Sequence, residues 1–95
     1  SWYYTFEYRV SRAMARRGYI TVDKGSVTVN GVSLTVCEPQ ETPDPSDPGS
    51  LICRFKVAII PYTRNNTNFS EIAPCTVVNL EFDILGKYLS RIASL

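Results

Sequence analysis

The sequence predicts an all-β domain: a small six-stranded antiparallel Greek-key barrel with a short helix after its first strand. Short segments rich in Val, Thr, Tyr and Phe recur along the chain and are separated by turns, which is typical of small barrels. An Asn-Gly pair at residues 30–31 predicts a hairpin between two of them. The chain has 95 residues, enough for one hydrophobic core but not for two, so residues 1–95 form a single domain.

The first quarter of the chain predicts a strand followed by a helix. Trp2–Tyr8 is rich in aromatic residues, which favour a pleated surface. Ser11 is suited to capping a helix over Arg12–Arg17, and Gly18 is suited to ending it. Tyr19–Val22 then returns to extended character.

The predicted hairpin comprises Ser26–Val29 and Val32–Val36. A two-residue turn places Val29 opposite Val32, and this register separates the side chains onto two faces. The core face carries Val27, Val29, Val32, Leu34 and Val36, and the hydroxyl face carries Ser26, Thr28, Ser33 and Thr35. The hydroxyl face is either an ordinary solvent-facing surface or a ligand surface lined with small donors and acceptors.

The segment Glu38–Ser50 has a different composition. It contains four of the six prolines and four carboxylates, with no large apolar residue. We expect an exposed and mobile loop between two strands.

The rest of the chain predicts two more strands. In Leu51–Ile60, Phe55, Val57 and Ile59 alternate with Arg54 and Lys56, and Pro61 ends the hydrogen-bonding ladder. A polar loop at 64–70, a last long strand at 76–84 and a short helix at 87–92 complete the prediction.

Composition narrows the classes of function. Ten Lys and Arg balance nine Asp and Glu, so the net charge of +1 does not predict nucleic-acid or membrane binding. The chain has no histidine, and its three cysteines form no Cys-x-x-Cys pair, so no metal site is expected. We expect buried, reduced thiols, which suit the cytoplasm or another reducing compartment, including an organelle. Because the chain opens with Ser1, we expect a processed or shortened product.

Three polar residues are open to two interpretations. Glu81 and Asp83 lie two apart on a predicted strand and therefore share a face, which is either a polar surface or acid/base machinery. Lys24, taken alone, is a surface lysine in a turn.

Three blocks of sequence together resemble the riboflavin synthase family. They span residues 24–36, 60–69 and 78–88 and follow the order of the family. The resemblance as a whole extends over nearly the whole chain apart from the proline-rich segment. The family carries two similar barrels in tandem. Ser33 stands where the first barrel usually has cysteine, and Glu81-x-Asp83 followed by Lys87-Tyr88 looks like the second. The chain therefore resembles the C-terminal lumazine-binding barrel.

The resemblance has departures. Cys75-Thr76 stands in place of the usual Gly-Asp turn, and Ser70 in place of a glycine, which affects loop geometry. Tyr62 stands in place of a Glu or His inside the expected ligand loop.

The resemblance implies a function. Riboflavin synthase is a homotrimer that dismutates two molecules of 6,7-dimethyl-8-ribityllumazine to riboflavin and a pyrimidinedione, without metal or organic cofactor. Its active site lies between the N-terminal barrel of one subunit and the C-terminal barrel of its neighbour. This chain would therefore supply half of a site, and the family's histidine would belong to the other half.

The resemblance also implies site residues. The ligand contacts would be Lys24, Ser33, Leu34, Thr35, Ile60, Pro61, Tyr62, Thr63, Arg64 and Asn65. The expected catalytic residues are Ser33 and Asp83, with Lys24 as an electrostatic aid. Two alternatives remain open: a non-catalytic lumazine- or flavin-binding protein of the same fold, and a small nucleic-acid-binding barrel, which the near-neutral charge disfavours.

Overall fold

The structure, a computed structural model, describes residues 2–82 and 84–95. Six strands form most of the regular structure, which confirms the all-β class. The strands are β1 (Trp2–Ser11), β2 (Ser26–Val29), β3 (Val32–Thr35), β4 (Cys37–Asp44), β5 (Asp47–Ile59) and β6 (Leu80–Phe82). The helices are α1 (Arg12–Arg16), α2 (Pro61–Asn66) and α3 (Ile84–Ala93), with a 3₁₀ turn at Asn68–Glu71.

The strands form two antiparallel sheets of three strands. The first sheet has the order β1-β5-β4, and the second has the order β3-β2-β6. Among the described residues no strand pairing joins the two sheets, so the predicted closed barrel is not formed by this part of the chain. The long last strand expected at 76–84 is reduced to β6, and residues 76–79 form no strand that could bridge the sheets.

One hydrophobic core lies between the two sheets. Its buried side chains come from β1, β2, the residue after β3, β5 and the 3₁₀ turn: Phe6, Val27, Val29, Val36, Phe55, Val57, Ile59 and Phe69. Val32 and Leu34 pack against this cluster from β3. The predicted core faces of the hairpin and of β5 are therefore both confirmed.

The predicted hairpin is confirmed with its register. Val29 lies opposite Val32, and Thr28 lies opposite Ser33. Asn30 and Gly31 have φ values of 48° and 83°, the left-handed conformation that a type I′ turn requires at both central positions.

The helix after the first strand is also confirmed. The Ser11 hydroxyl accepts a hydrogen bond from the Met14 backbone N–H at 3.1 Å, which caps α1. Gly18 has φ 98°, which allows the chain to turn after the helix. The first strand continues to Ser11 and so reaches the helix directly.

The prediction of a loop over Glu38–Ser50 was wrong. The segment is largely exposed, but it forms β4, a turn and the start of β5. Pro39 and Pro43 lie on the edge strand β4, where proline is tolerated, and register shifts accommodate the irregular positions. Pro45 lies in the turn, and Pro48 is the second residue of β5. Ion pairs hold the strand: Lys56 Nζ lies 3.0 Å from Glu38 Oε2, and Arg9 Nε lies 2.7 Å from Asp44 Oδ2.

Three shorter segments also differ from the prediction. Residues 19–22 form no strand, because the Thr21 backbone N–H donates to the Tyr8 hydroxyl at 2.9 Å and not to a neighbouring strand. The polar loop expected at 64–70 is replaced by α2 and the 3₁₀ turn. Pro61, at the start of α2, has the fixed φ that suits a first helical position. The C-terminal helix is confirmed and is longer than expected, at Ile84–Ala93.

The cysteines agree only in part with the expectation of buried thiols. Cys53 is buried, Cys37 is half-buried and Cys75 is exposed, and all three are free.

Candidate functional site

The β3 strand presents short hydroxyls along a sheet edge. Ser33 and Thr35 are exposed, whereas Leu34 is half-buried against the core. Within the described residues β3 pairs with β2 alone, so its other edge has no partner strand. Such an edge offers backbone N–H and C=O groups beside the two hydroxyls. The arrangement suits a planar ligand with alternating hydrogen-bond donors and acceptors.

Lys24 lies at the base of the same hairpin. It is exposed and has φ 64° in the turn that precedes β2. Its backbone N–H donates to the Val36 carbonyl at 2.8 Å, and the Val36 N–H donates to the Gly25 carbonyl at 2.8 Å. These two bonds hold Lys24 close to the residue that follows Thr35. The structure therefore brings the predicted cation to one end of β3.

The predicted ligand loop is a short helix. Ile60 precedes α2 and is exposed, as are Tyr62 and Asn65. Thr63 is half-buried, and its carbonyl accepts the Thr67 hydroxyl at 2.6 Å. Ile60, Tyr62 and Asn65 thus present apolar, aromatic and polar side chains to solvent.

Arg64 contacts the first sheet. Its Nε donates to the Tyr4 hydroxyl at 3.1 Å, and its backbone N–H donates to the Ile60 carbonyl at 3.1 Å. The Tyr4 hydroxyl in turn donates to the Phe69 carbonyl at 3.2 Å. The structure therefore gives Arg64 an anchoring contact to β1, a role that its place in the sequence did not indicate.

The chain path relates β3 to the last residues of β5. β4 begins two residues after β3, and its first residue, Cys37, lies opposite Lys56 of β5. β3 itself contacts β5. Lys56 precedes Ile60 by four residues, so the end of β3 and the start of the predicted ligand segment are both connected to this part of β5.

The predicted carboxylates are only partly described. Glu81 lies opposite Thr28 in β6 and is exposed, on the hydroxyl face of the second sheet. Asp83, the expected catalytic carboxylate, lies outside the described residues.

An asparagine cluster beside the site was not predicted. The Asn68 Nδ2 donates to the Asn30 carbonyl at 3.0 Å, and the Asn30 Oδ1 accepts the Asn79 backbone N–H at 2.8 Å. The Asn30 N–H donates to the Asn79 carbonyl at 2.9 Å. Asn30 was recognised only as a turn residue. Its second role depends on residues far apart in sequence, which no local pattern indicates.

Two clefts border β1. One, of about 440 Å³, is lined by Tyr3, Tyr4, Thr5, Phe6, Arg64 and residues 72–76. The other, of about 460 Å³, is lined by residues of β1, α1 and β6 with Tyr19 and residues 78–79. Neither contains Ser33, Thr35 or Lys24, so both differ from the predicted ligand surface.

A half-buried tyrosine, Tyr8, lines the second cleft. The Tyr8 hydroxyl lies 2.9 Å from Thr21 Oγ1, and burial raises the pKa of Tyr8 to about 12. Burial also raises the pKa of the neighbouring Cys53 thiol. Both groups are therefore uncharged at neutral pH and act as parts of the core rather than as nucleophiles.

The sequence is similar to those of known proteins. The sequence model of the family described as "Lumazine binding domain" matches residues 2–83, which is most of the chain. The chain belongs to the lumazine-binding domain family. The matched residues contain both halves of the candidate site, on β3 and on the segment that follows β5.

Individual relatives of this lumazine-binding domain are riboflavin synthases. The chain is 39% identical over 84 residues to riboflavin synthase from Actinobacillus pleuropneumoniae, covering 88% of the chain and 34% of the relative. It is 39% identical over 75 residues to the enzyme from Mycobacterium tuberculosis strain H37Rv, covering 75% of the chain and 31% of the relative. It is 38% identical over 68 residues to the enzyme from Bacillus subtilis, covering 72% of the chain and 26% of the relative. The lumazine-binding domain thus spans about a third or less of these relatives.

The described residues of this lumazine-binding domain contain neither a membrane-spanning helix nor a metal-binding cluster. In residues 2–82 and 84–95, no helix has both the length and the apolar character needed to cross a membrane. In the same residues, His, Cys, Asp and Glu side chains form no cluster of three or more that could hold a metal ion.

Proposed function

We propose that this domain binds 6,7-dimethyl-8-ribityllumazine and supplies one half of a riboflavin synthase active site. The observation that carries the proposal is the outer edge of β3, which has no partner strand among the described residues and exposes Ser33 and Thr35. The lumazine ring carries carbonyls, ring nitrogens and an N–H. A strand edge with short hydroxyls matches these groups donor to acceptor.

The ligand contacts that we propose follow the two halves of the site. The ring lies against Ser33, Leu34 and Thr35, with Lys24 at the end of the strand. The hydroxyls of the ribityl chain bind Thr63 and the neighbouring residues Ile60, Pro61, Tyr62, Arg64 and Asn65. Exposure of Ile60, Tyr62 and Asn65 supports this assignment, because their side chains are available to a ligand. For Arg64, the bond from its Nε to Tyr4 supports a fixed rather than a mobile guanidinium.

The chemistry that we propose is the dismutation of two lumazines. One lumazine loses a proton from its 7-methyl group, and the resulting carbanion attacks the second. Transfer of a four-carbon unit gives riboflavin and a pyrimidinedione. Since the conjugated ring stabilises much of the carbanion charge, catalysis consists mainly of holding two rings face to face. We assign Ser33 and Asp83 to proton transfer or stabilisation of the intermediate, with Lys24 as an electrostatic aid.

A second lumazine requires a second site. We propose that an N-terminal barrel of a neighbouring subunit in a homotrimer holds it, so that this domain alone has half of the catalytic machinery. The chain has no histidine, and the resemblance assigns the family's histidine to the other half. The three free thiols agree with a reducing compartment, either the cytoplasm or an organelle.

The alternative of a non-catalytic flavin binder is not favoured. The relatives over most of the chain are named as riboflavin synthases in several organisms.

Fluorescence titration of the chain with 6,7-dimethyl-8-ribityllumazine tests the proposal. The wild-type chain should bind, and Ser33→Ala should weaken binding by about two- to tenfold, as expected for one lost hydrogen bond. Ser26→Ala is the matched control. Ser26 is exposed on the same face of the sheet but lies on β2, away from the open edge, and its removal should leave affinity unchanged.

Riboflavin production by the purified chain tests whether the chain has half of an active site or a complete one. The purified chain should form little or no riboflavin from lumazine. Substantial turnover by the 95-residue chain would contradict the half-site, and failure of the chain to bind lumazine at all would contradict the proposed ligand.

A further inference from the structure

We propose that Asn68 is a positioning residue that fixes the two halves of the lumazine site relative to each other, through its hydrogen bond to Asn30. The inference rests on the proposed function, because it concerns the same site. The two halves belong to different parts of the fold: residues 33–35 lie in the second sheet, whereas residues 60–65 follow β5 of the first. A ligand that contacts both needs them held at a constant separation.

The Asn30 end of the contact is rigid. Asn30 occupies the first position of the type I′ turn that joins β2 to β3. Its N–H donates to the Asn79 carbonyl and its side-chain oxygen accepts the Asn79 N–H, at 2.9 and 2.8 Å. Its own carbonyl therefore points at Asn68 from a fixed place, two residues before β3 begins.

The Asn68 end is joined to the ligand segment. Asn68 opens the 3₁₀ turn one residue after Thr67, whose hydroxyl donates to the Thr63 carbonyl at 2.6 Å. The next residue, Phe69, is fully buried in the core. Movement of Asn68 is thus transmitted to Thr63 through the peptide bond to Thr67 and the hydrogen bond from Thr67 to Thr63.

On its other side the ligand segment is bound to the first sheet. The Arg64 Nε donates to the Tyr4 hydroxyl, which donates to the Phe69 carbonyl. The bond from Asn68 Nδ2 to the Asn30 carbonyl supplies the corresponding connection to the second sheet. Together the two contacts connect the ligand segment to both sheets.

The bond is well suited to positioning rather than to stability. Asn68 is exposed, so its amide loses little hydration on folding and regains hydration when the bond breaks. Loss of the bond should therefore alter the separation of the two halves more than it alters the folding equilibrium.

The test compares Asn68→Ala with Asn66→Ala by titration with 6,7-dimethyl-8-ribityllumazine. Asn66 is also exposed, and its Nδ2 also donates to a backbone carbonyl, that of Tyr62 at 2.8 Å, but this bond stays within α2. Asn68→Ala should weaken binding about three- to tenfold, in the range of one hydrogen bond. Asn66→Ala should leave it within about twofold. Asn68→Asp, which keeps the shape and lacks the donor, should behave as Asn68→Ala.

Two results would overturn the proposal. One is unchanged affinity in both Asn68 variants; the other is an equal loss in Asn66→Ala. Chemical denaturation of each variant supplies the second readout. If the affinity of each variant fell in proportion to its free energy of unfolding, the role of Asn68 would be structural only.

Failure of the wild-type chain to bind lumazine would refute the proposed function. The positioning role of Asn68 can then still be tested by a measurement that needs no ligand. Backbone NMR order parameters over residues 60–65 should fall in Asn68→Ala and stay unchanged in Asn66→Ala. Order parameters equal to wild type in Asn68→Ala would show that the bond fixes nothing.

Discussion

The two hairpins of this domain use their edge strands in opposite ways. In the β2–β3 hairpin the edge strand is short, contains no proline and exposes Ser33 and Thr35. In the β4–β5 hairpin the edge strand β4 contains Pro39 and Pro43, shifts register twice and carries charged residues. Prolines, irregular register and charge are the features that stop an edge from accepting a further strand. The comparison indicates that the β4 edge is protected against pairing. The β3 edge has none of these features, which agrees with the ligand surface proposed for it.

The largest expected effect tests whether the two hairpins share one core. Phe55 is fully buried at the centre of the aromatic contacts with Phe6 and Tyr8. Phe55→Ala should lower the free energy of unfolding by about 3–5 kcal/mol through lost burial and a cavity. Arg54→Ala, beside it on the exposed face, should cost no more than about 1 kcal/mol, since it removes only an exposed ion pair with Glu7. Urea denaturation followed by tryptophan fluorescence and circular dichroism measures both; separate transitions for the two probes would contradict a common core.

A smaller effect separates a turn glycine of the first hairpin from a strand glycine of the second. Gly31 has φ 83°, and a Cβ there would meet no atom within 4 Å, so Gly31→Ala costs backbone strain alone, about 1–2 kcal/mol. Gly49 lies near the start of β5, where a Cβ would make an ordinary contact of 3.5 Å with Asp47 Oδ1. Gly49→Ala should therefore be neutral or stabilise by up to about 1 kcal/mol. Thermal unfolding compares the two variants, and equal destabilisation would show that the two glycines do not differ as described.

The difference between the hairpins also explains what the sequence could predict. Asn30-Gly31 determines turn type, register and both faces of its hairpin locally, so the structure confirms every part of that prediction. β4 has no local strand signal. It forms because β5 offers a long partner, and because Glu38 and Asp44 find cations on neighbouring strands.

The same division between local and distant determinants applies to the candidate site. Ser33 and Thr35 could be placed on an exposed face from alternation alone. The bond from Asn68 to Asn30 could not be predicted, since it joins residues 38 apart that no periodicity relates. Closure of a barrel was expected from strand count, but closure depends on long-range pairing that the described residues do not make.

The smallest effect is a pH dependence confined to the proline-rich hairpin. Hydrogen bonds from the Ser46 N–H and hydroxyl to Asp44 Oδ1 lower the pKa of Asp44 below its usual 3.8. The charged form is therefore favoured in the folded state. Its contribution to stability is present above pH 3.8 and is lost as the pH falls through the lowered pKa.

Asp44→Asn checks this dependence. Wild type should be more stable than Asp44→Asn at neutral pH, and the difference should shrink as the pH falls below 3.8. Ser46→Ala, which removes one of the two donors, should show a weaker form of the same behaviour. Denaturant unfolding at several pH values provides the measurement, and a difference that grows in acid would mean that the pKa of Asp44 is raised instead.

The most direct test of the open edge is a map of backbone amide chemical shifts during titration with 6,7-dimethyl-8-ribityllumazine. Ligand binding should shift the amides of residues 33–35 on β3 and 60–65 beyond β5, with none of the shifts on β4 beyond Gln40. Shifts concentrated on β4, or in the clefts beside β1 with β3 unaffected, would contradict the central claim that the unpaired β3 edge holds the ligand.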